Sequence, residues 1–374
     1  MTAMETMGII FSNIYDSFMG ALTEKRTSAS IPVGGRYRQI DFILSNMANS
    51  GVRHIGIITK YNYQSLMDHL GSCQEWDLQL NTSGVVFLPP YATGHTGIYR
   101  GKLEALQTAL PVLSYGEQDY VILADSNVMC SLDFRKVVED HVKSGCDVTV
   151  VAKAGLADGK TTQHFALRID ENNRAVSMGV EYAAPAGDLT GMGMFVMSRK
   201  LLLETIQETV PHGKYHLERD FIMESFNKGE LSVNVYPFEG AALFNQSVVS
   251  YYQNNMALLD ADIRRSLFKG DVPIYTKVRD EVPTLYGKNA EVANCIVADG
   301  CRLSGKVENS VIFREVKVEE GAEVADSIVM QGCTIEKGAS IQYTILDKDV
   351  TVSAGTKLLG SPEHPLIIRK GVTV

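Results

Sequence analysis

GIIFSNIYDSFMGALTEKRTSASIPVGGRYRQIDF, residues 8–42, sets the reading of everything after it. GIIF is a short apolar run of the kind that forms a buried first strand of a parallel sheet, and a phosphate-holding turn belongs directly after such a strand. Turns of that kind need glycine, because without a Cβ the backbone approaches a pyrophosphate closely and takes φ > 0, so that N–H groups converge on the anion. Here the turn reads Ser12-Asn13-Ile14-Tyr15-Asp16-Ser17-Phe18, with an acid in the middle and no glycine. Farther on, Lys25, Arg26, Arg36 and Arg38 bring cations beside Gly34-Gly35. The stretch keeps positive charge and discards the cradle.

From about residue 8 to about residue 240 the chain alternates short β-like apolar runs with helix-like segments, the pattern of an α/β domain whose parallel sheet is covered on both faces. Strands are expected at Ile9-Phe11, His54-Thr59, Tyr120-Leu123, Asp147-Lys153, Gly191-Met197 and Ser232-Pro237. Helices are expected at Gln39-Ser50, capped by Gly51, at Tyr63-Leu70, Lys102-Leu113 and Arg199-Glu208, and at Phe134-Ser144, ending on Gly145. The ligand crevice of an open α/β sheet lies outside the carboxyl ends of its strands. That rule gathers Ser12-Phe18, Thr59-Asn62, Ala124-Asn127 and Gly240-Gln246 around one pocket.

Composition narrows the functional classes. A chain of 374 residues suggests two domains of ordinary size, and 45% hydrophobic residues fit a soluble globular protein. With 35 Lys and Arg against 44 Asp and Glu the balance is −9, which argues against general binding to nucleic acid or an anionic membrane. Any bound anion must therefore be held by a local pocket. The cysteines, at 73, 130, 146, 295, 301 and 333, form no C-x-x-C pair and lie mostly in apolar runs, so they read as free buried thiols with no metal site. The N-terminal MTAMETMG has neither a basic nor an apolar signal region, and no apolar run approaches the ~20 residues that span a bilayer, so the expected location is cytoplasmic.

Near 249–267 a longer helical segment, within SYYQNNMALLDADIRRSL, suits a connector, and Pro273 and Pro283 mark a linker. A repeat then begins. A four-residue pattern with a small or turn residue first and an aliphatic fourth occurs at Gly300-Leu303, Glu315-Val318, Gly332-Ile335 and Asp349-Val352, spaced 15, 17 and 17. A second set, Asn289-Val292, Ser304-Val307, Gly321-Val324, Gly338-Ile341 and Gly355-Leu358, moves in step with it. A third, Cys295-Val297, Ser310-Ile312, Ser327-Val329 and Thr344-Leu346, does the same. Three faces sharing one rung of about 17 residues describe a triangular parallel β-helix, with aliphatic side chains stacked inward and glycine or aspartate at corners. The domain reads as scaffold and oligomerisation surface: an acyltransferase of the hexapeptide-repeat type would need a histidine on the helix wall, and His364 lies beyond the last countable rung.

The segment RYRQIDFILSNMANSGV, residues 36–52, strongly resembles the glucose-1-phosphate adenylyltransferase (ADP-glucose pyrophosphorylase) family of bacterial glycogen synthesis. Tyr99-Arg100-Gly101, Pro237-Phe238-Glu239-Gly240 and Tyr251-Tyr252-x-x-Asn255-Met256 extend the resemblance over essentially the whole chain. It implies a Rossmann-like nucleotidyltransferase domain at 1–245, a helical connector and linker at 246–285 and a left-handed β-helix at 286–374.

The departures from that family bear most on function. Its G-G-x-G-T-R-L loop falls on Asn13-Met19, losing the glycines and the arginine that assists the departing pyrophosphate. The lysine of its R-A-K-P segment falls on Ser28. The aspartate that holds Mg²⁺ falls on Asn127. Asp125 lies two positions away, but successive strand-end residues do not point the same way. The second metal aspartate falls on Phe244, VEYAAP at 180–185 stands where E-K-P binds the sugar phosphate, and Lys102-Leu103-Glu104 replaces T-A-D. Ser12, Asn13, Ser28, Tyr99, Gly101, Asp125, Asn127 and Phe244 thus outline a degenerate nucleotide and sugar pocket with no catalytic residue and no Mg²⁺ cofactor. Each lost electrostatic group costs about 2.7 to 4 kcal/mol of transition-state stabilisation, so several together leave negligible activity alone.

The resemblance therefore points to the non-catalytic companion of this family in low-GC Gram-positive bacteria, a regulatory subunit that assembles with a catalytic homologue into a heterotetramer. Lys25, Arg26, Arg36 and Arg38 are then candidates for binding a sugar-phosphate or phosphate effector, the alternative being a solvated basic loop. Two other readings stay open: a weakly active adenylyltransferase with displaced metal ligands, and a stand-alone sugar-phosphate sensor.

Overall fold

The apolar run that opens the chain becomes strand β1, Thr6–Phe11, buried in all but its first residue. In the computed structural model, which describes residues 6–79, 84–90, 99–269 and 272–374, it lies inside a nine-stranded sheet. The other strands are β2 (His54–Ile58), β3 (Gly84–Leu88), β4 (Tyr120–Asp125), β5 (Val148–Lys153), β6 (Gln163–Ile169), β7 (Ala175–Tyr182), β8 (Leu189–Ser198) and β9 (Val233–Pro237). Their order is β7-β6-β8-β4-β1-β2-β3, with β5 pairing β8 and β9. β4, β1, β2 and β3 are parallel, as are β5 and β9, whereas β8 runs against β4, β5 and β6. Only β7 and β8 therefore oppose the common direction, and the sheet is mostly parallel as the alternating pattern requires.

The strands expected from sequence all form. β3, β6 and β7 are additional; Val86 in β3 and Val176 in β7 are exposed, so neither strand is buried on both faces as a central one is. The helix Phe134–Ser144 has the expected limits: Asp133 accepts a hydrogen bond from the Arg135 amide at its start, and Gly145 closes it at φ 63°. The connector differs from a single helix. It is two, Val248–Ala257 and Ala261–Phe268, separated because Asp260 turns its carboxylate onto the Asp262 and Ile263 amides and starts a new helix.

The counted repeat matches the strand register. Val292, Val307, Val324, Ile341 and Leu358 pair in line, and so do Val297, Ile312, Val329, Leu346 and Ile368. Leu303, Val318, Ile335 and Val352 form the third face, which Leu285–Tyr286 extends by one strand. The side chains at the centre of this stack are fully buried. Glu315 and Asp349 take the corner φ of 59° and 60° where Gly300 and Gly332 stand in the neighbouring rungs. These parallel sheets fit a left-handed β-helix. The six cysteines are free, and all but Cys295 are buried.

The chain divides into two compact units. One contains the sheet and is built from the chain up to Ile14, Ile43–Tyr61 and Gly71–Ala242. The other contains the β-helix together with Tyr15–Phe42 and Asn62–Leu70, so the basic half of the opening stretch belongs to the β-helix unit. No helix among the described residues is long and apolar enough to cross a membrane.

Candidate functional site

In the sheet unit, hydrogen bonds tie the carboxyl ends of β1, β2 and β4 together. The Ser12 hydroxyl and amide both donate to the Ile58 carbonyl, and the Ser126 amide donates to the Phe11 carbonyl. Ser12, Asn13, Asp125 and Asn127 all lie buried at this edge. Asn127 is 2% exposed, and neither its Oδ1 nor its Nδ2 has a hydrogen-bond partner among the described residues. Gly101 is needed for close approach, because a Cβ there would run into the Tyr215 carbonyl that accepts from the Leu103 amide. Tyr99 packs, half-buried, against the core of the sheet unit.

Asp125 is occupied from within the chain. Its Oδ2 accepts a hydrogen bond from Lys102 Nζ at 2.9 Å, and the same ammonium bonds Glu218 Oε1, with His164 Nε2 at 3.6 Å from that oxygen. Lys102, Asp125 and Glu218 are all at least 95% buried, and the ammonium lies 5.5 Å from the ring centres of both Phe11 and Phe195. Burial works to raise both carboxyls; at Glu218 the Lys102 ammonium and His164 together outweigh it and hold the group well below the usual range. At Asp125 burial prevails and pushes the carboxyl up, with Glu218 adding to the rise. Room for the Asp125 carboxylate comes from Gly193, at φ 67° in an irregularity of β8, where any Cβ would collide with it.

The β-helix unit holds the rest of the degenerate set. Asp16, the acid in the glycine-free turn, accepts a hydrogen bond from the Ser28 amide at 2.7 Å, and the Ser28 carbonyl accepts from Gln39. A backbone donor at the position of the family's lysine segment is thereby spent on an internal carboxylate. Phe244 is half-buried and offers only its carbonyl, which accepts from Asn254.

The four cations read from the sequence separate. Arg26 is 4% exposed and makes a two-toothed pair with Asp347 at 2.8 and 2.9 Å. Exposed Lys25 lines a concavity with Glu24, Arg369 and Lys370, in which Arg369 and Glu24 pair at 3.0 Å. Arg36 and Arg38 line a different pocket, together with Lys277, Arg279, Arg314, Lys348, His69 and Tyr37. Arg38 is fixed there by donating to the Ser30 carbonyl at 2.7 Å and the Ser65 hydroxyl at 2.8 Å, and its amide bonds Asp41. His69 sits 2.6 Å from the other Asp41 oxygen, and burial lowers its pKa despite that carboxylate.

The pocket is short of negative charge. Burial, with Arg26 adding to it, brings Arg38 down to about 10. Lys348 is brought down to about 7 by burial and then by Arg38, Arg26 and Lys370. Such depressions arise when cations are buried and crowded with too few anions to offset them, and an entering oxyanion relieves them. The arrangement is suited to holding a multiply charged anion, and among the described residues no cluster of His, Cys, Asp or Glu is positioned to hold a metal ion.

Reading only the basic run at 25–38 missed Lys277, Arg279, Arg314 and Lys348. Two of these carry a sequence signal. Asp299, Arg314, Gln331 and Lys348 each stand two residues past the last inward residue of the third strand set, at the same spacings of 15, 17 and 17. The repeat that counts the rungs therefore stacks these four side chains in one column, and the last three line the pocket. Lys277 and Arg279 lie in irregular chain, where no period points to them.

The fold and these two sites define a class. The chain belongs to the nucleotidyl transferase family, whose pattern matches residues 19–240, and residues 277–364 match the GlmU-like C-terminal hexapeptide pattern. Within it, the chain is 37% identical over 372 residues to glycogen biosynthesis protein GlgD of Bacillus subtilis (strain 168), covering 98% of this chain and 96% of that protein. GlgD of Geobacillus stearothermophilus is 36% identical over 366 residues, with the same two coverages of 98% and 96%. A glucose-1-phosphate adenylyltransferase of Bacillus thuringiensis (strain Al Hakam) is 31% identical over 312 residues, 82% of each chain.

Proposed function

We propose that this chain is a regulatory, catalytically degenerate subunit that acts in glycogen biosynthesis in the cytoplasm, assembling with a catalytic glucose-1-phosphate adenylyltransferase and altering its ADP-glucose synthesis. The observation that supports it most is the Lys102 ammonium bonded to Asp125. The one carboxylate at the strand edge near the family's metal position is already neutralised from inside the protein. Asn127 supplies only a neutral amide and Phe244 no side-chain oxygen, so these residues do not fit Mg²⁺, a hard cation that seeks carboxylate and phosphate oxygens. The proposed domain plan remains 1–245, 246–285 and 286–374, with the β-helix and adjoining α/β surface meeting the partner. The basic pocket, with Arg36 and Arg38, takes a phosphate-bearing effector; Arg26 acts from behind it through Asp347.

The test is to purify the chain and a catalytic homologue, measure ADP-glucose formation from ATP and glucose 1-phosphate for each alone and mixed, and follow mass by light scattering. The chain alone should be inactive, and mixing should give a larger assembly with altered turnover or effector response. If mixing changes neither mass nor rate, the reading fails. Asn127→Asp with Phe244→Asp should remain inactive alone, because the turn Ser12-Phe18 still has no glycine cradle.

A further inference from the structure

Among the described residues, β3, β7 and β9 are the strands of the nine-stranded sheet with a strand neighbour on one side only. A bare strand edge invites pairing with another chain, and folded proteins blunt it with charge, proline, a bulge or a covering segment. β9 ends on Pro237, and its open side is covered where Arg174 bridges Asn234 and the Val235 amide donates to the Asn173 carbonyl. β7 has a register irregularity between Ala175 and Ser177 and carries Glu181 at φ 54°. β3, Gly84-Val85-Val86-Phe87-Leu88, has neither charge nor proline, and its register with β2 is unbroken from Gly84 to Leu88. The Leu88 carbonyl accepts from the amide of Thr59, just past β2, which fixes the hydrogen-bonding parity of the strand. Alternate residues of a parallel strand face the same neighbour, so Gly84, Val86 and Leu88 bond toward β2. Val85 and Phe87 turn their N–H and C=O groups outward, where no described strand lies. Val86 is 48% exposed and Val85 and Phe87 are only half-buried, so the edge is apolar as well as unpaired.

We infer that β3 pairs with the same strand of a second copy of this chain, antiparallel about a two-fold axis at Val86. A two-fold contact needs only one surface, and it makes the strand pairing antiparallel. Of the possible centres, Val86 alone brings the whole strand into register: Gly84 meets Leu88, Val85 meets Phe87, and Val86 meets its own counterpart. The parity agrees with that centre. Val85 and Phe87 of opposite copies form hydrogen-bonded pairs that exchange both N–H···O bonds, and Val86 forms a non-hydrogen-bonded pair whose side chains close on each other. Valine against phenylalanine and valine against valine are favourable cross-strand pairs, and no like charges meet. This pairing needs no catalytic homologue, so it stands or falls separately from the regulatory role.

The experiment uses the full chain by itself. Light scattering should give the wild type at least twice the chain mass, and Val86→Lys, which sets two like charges directly opposite each other at the axis, about half the wild-type mass. A monomeric wild type, or a Val86→Lys mass equal to that of the wild type, overturns the pairing. Val86→Cys covers the case in which the lysine variant fails to fold. It is made together with Cys295→Ser, which removes the one native thiol that is not buried. At the axis the two new thiols sit on Cα atoms about 4.5 Å apart, within disulfide reach, whereas Val85→Cys places its pair on a diagonal of about 7–8 Å. Mild oxidation should therefore join Val86→Cys into a covalent dimer on a non-reducing gel and leave Val85→Cys single. Failure of Val86→Cys to join, or equal joining of both variants, would refute the pairing independently.

Discussion

Lys102 and Lys348 are both ammonium groups largely withdrawn from water, and what faces each decides its behaviour. Lys102 faces Asp125 and Glu218, so its charge is matched and removing it leaves two buried carboxylates uncompensated. Breaking a buried ion cluster from one side costs about 3–5 kcal/mol, whereas neutralising all members together is often nearly neutral. Lys102→Met should therefore lower the unfolding free energy by about 3–5 kcal/mol in a urea titration, and adding Asp125→Asn and Glu218→Gln should recover most of the loss. A single-variant loss under about 1 kcal/mol would show that the cluster matters little.

Lys348 faces cations, and its pKa falls from 10.5 to about 7. The sign follows from proton counts: between these values the unfolded chain keeps the proton that the folded chain has released, so this group makes stability rise with pH there. Anion binding has the opposite trend, because the charged lysine is the form that attracts the ligand. Sulfate, which stays a dianion across the range, should bind more weakly at about pH 8 than at about pH 6, and Lys348→Arg should flatten the difference because arginine stays protonated. Burial lowers the His69 pKa, which puts its titration on the acid side of that of Lys348. A profile identical in wild type and Lys348→Arg would assign the effect elsewhere.

Among the elements, the β-helix was the most legible, because each rung repeats the same physical problem. Inward aliphatics must stack and corners must turn, so a spacing of 15 and then 17 recurs through the central rungs. One feature of it escapes hydrophobic counting. Buried Ser310, Ser327 and Thr344 form a hydroxyl column, in which Ser310 Oγ accepts from the Ser327 amide and Ser327 Oγ from the Thr344 amide, each at 3.1 Å. Ser327→Ala leaves the Thr344 amide unpaired inside the stack, at a cost of about 1–3 kcal/mol, whereas a surface change such as Lys317→Ala should stay within about 0.5 kcal/mol. Thermal melting of the two variants side by side checks this; equal melting temperatures would contradict it. In the sheet unit, the buried strands β1, β2, β4 and β5 declared themselves as apolar runs. β6 carries only the three-residue buried apolar run Phe165-Leu167 between polar residues, and its antiparallel partner β7 is mostly half-buried or exposed, so neither stands out as a long apolar run.

Across the whole molecule, the sequence by itself determined the buried central strands, the period of the β-helix and the loss of the phosphate cradle. Each of these is local: an apolar run, a repeat spacing or a missing glycine acts on its own few residues. Only the tertiary structure decided where charge ends up. Arg26 and Arg36 are close together in the basic run, yet one is spent on Asp347 and the other lines a pocket with side chains from rungs hundreds of residues away. Asp125 is set aside in the sequence by the direction of its strand end, but that Lys102 meets it, with Glu218 on the same ammonium, is a matter of the fold alone. Electrostatic pairing depends on distances of a few ångströms between residues remote in the chain, and no local pattern encodes those distances.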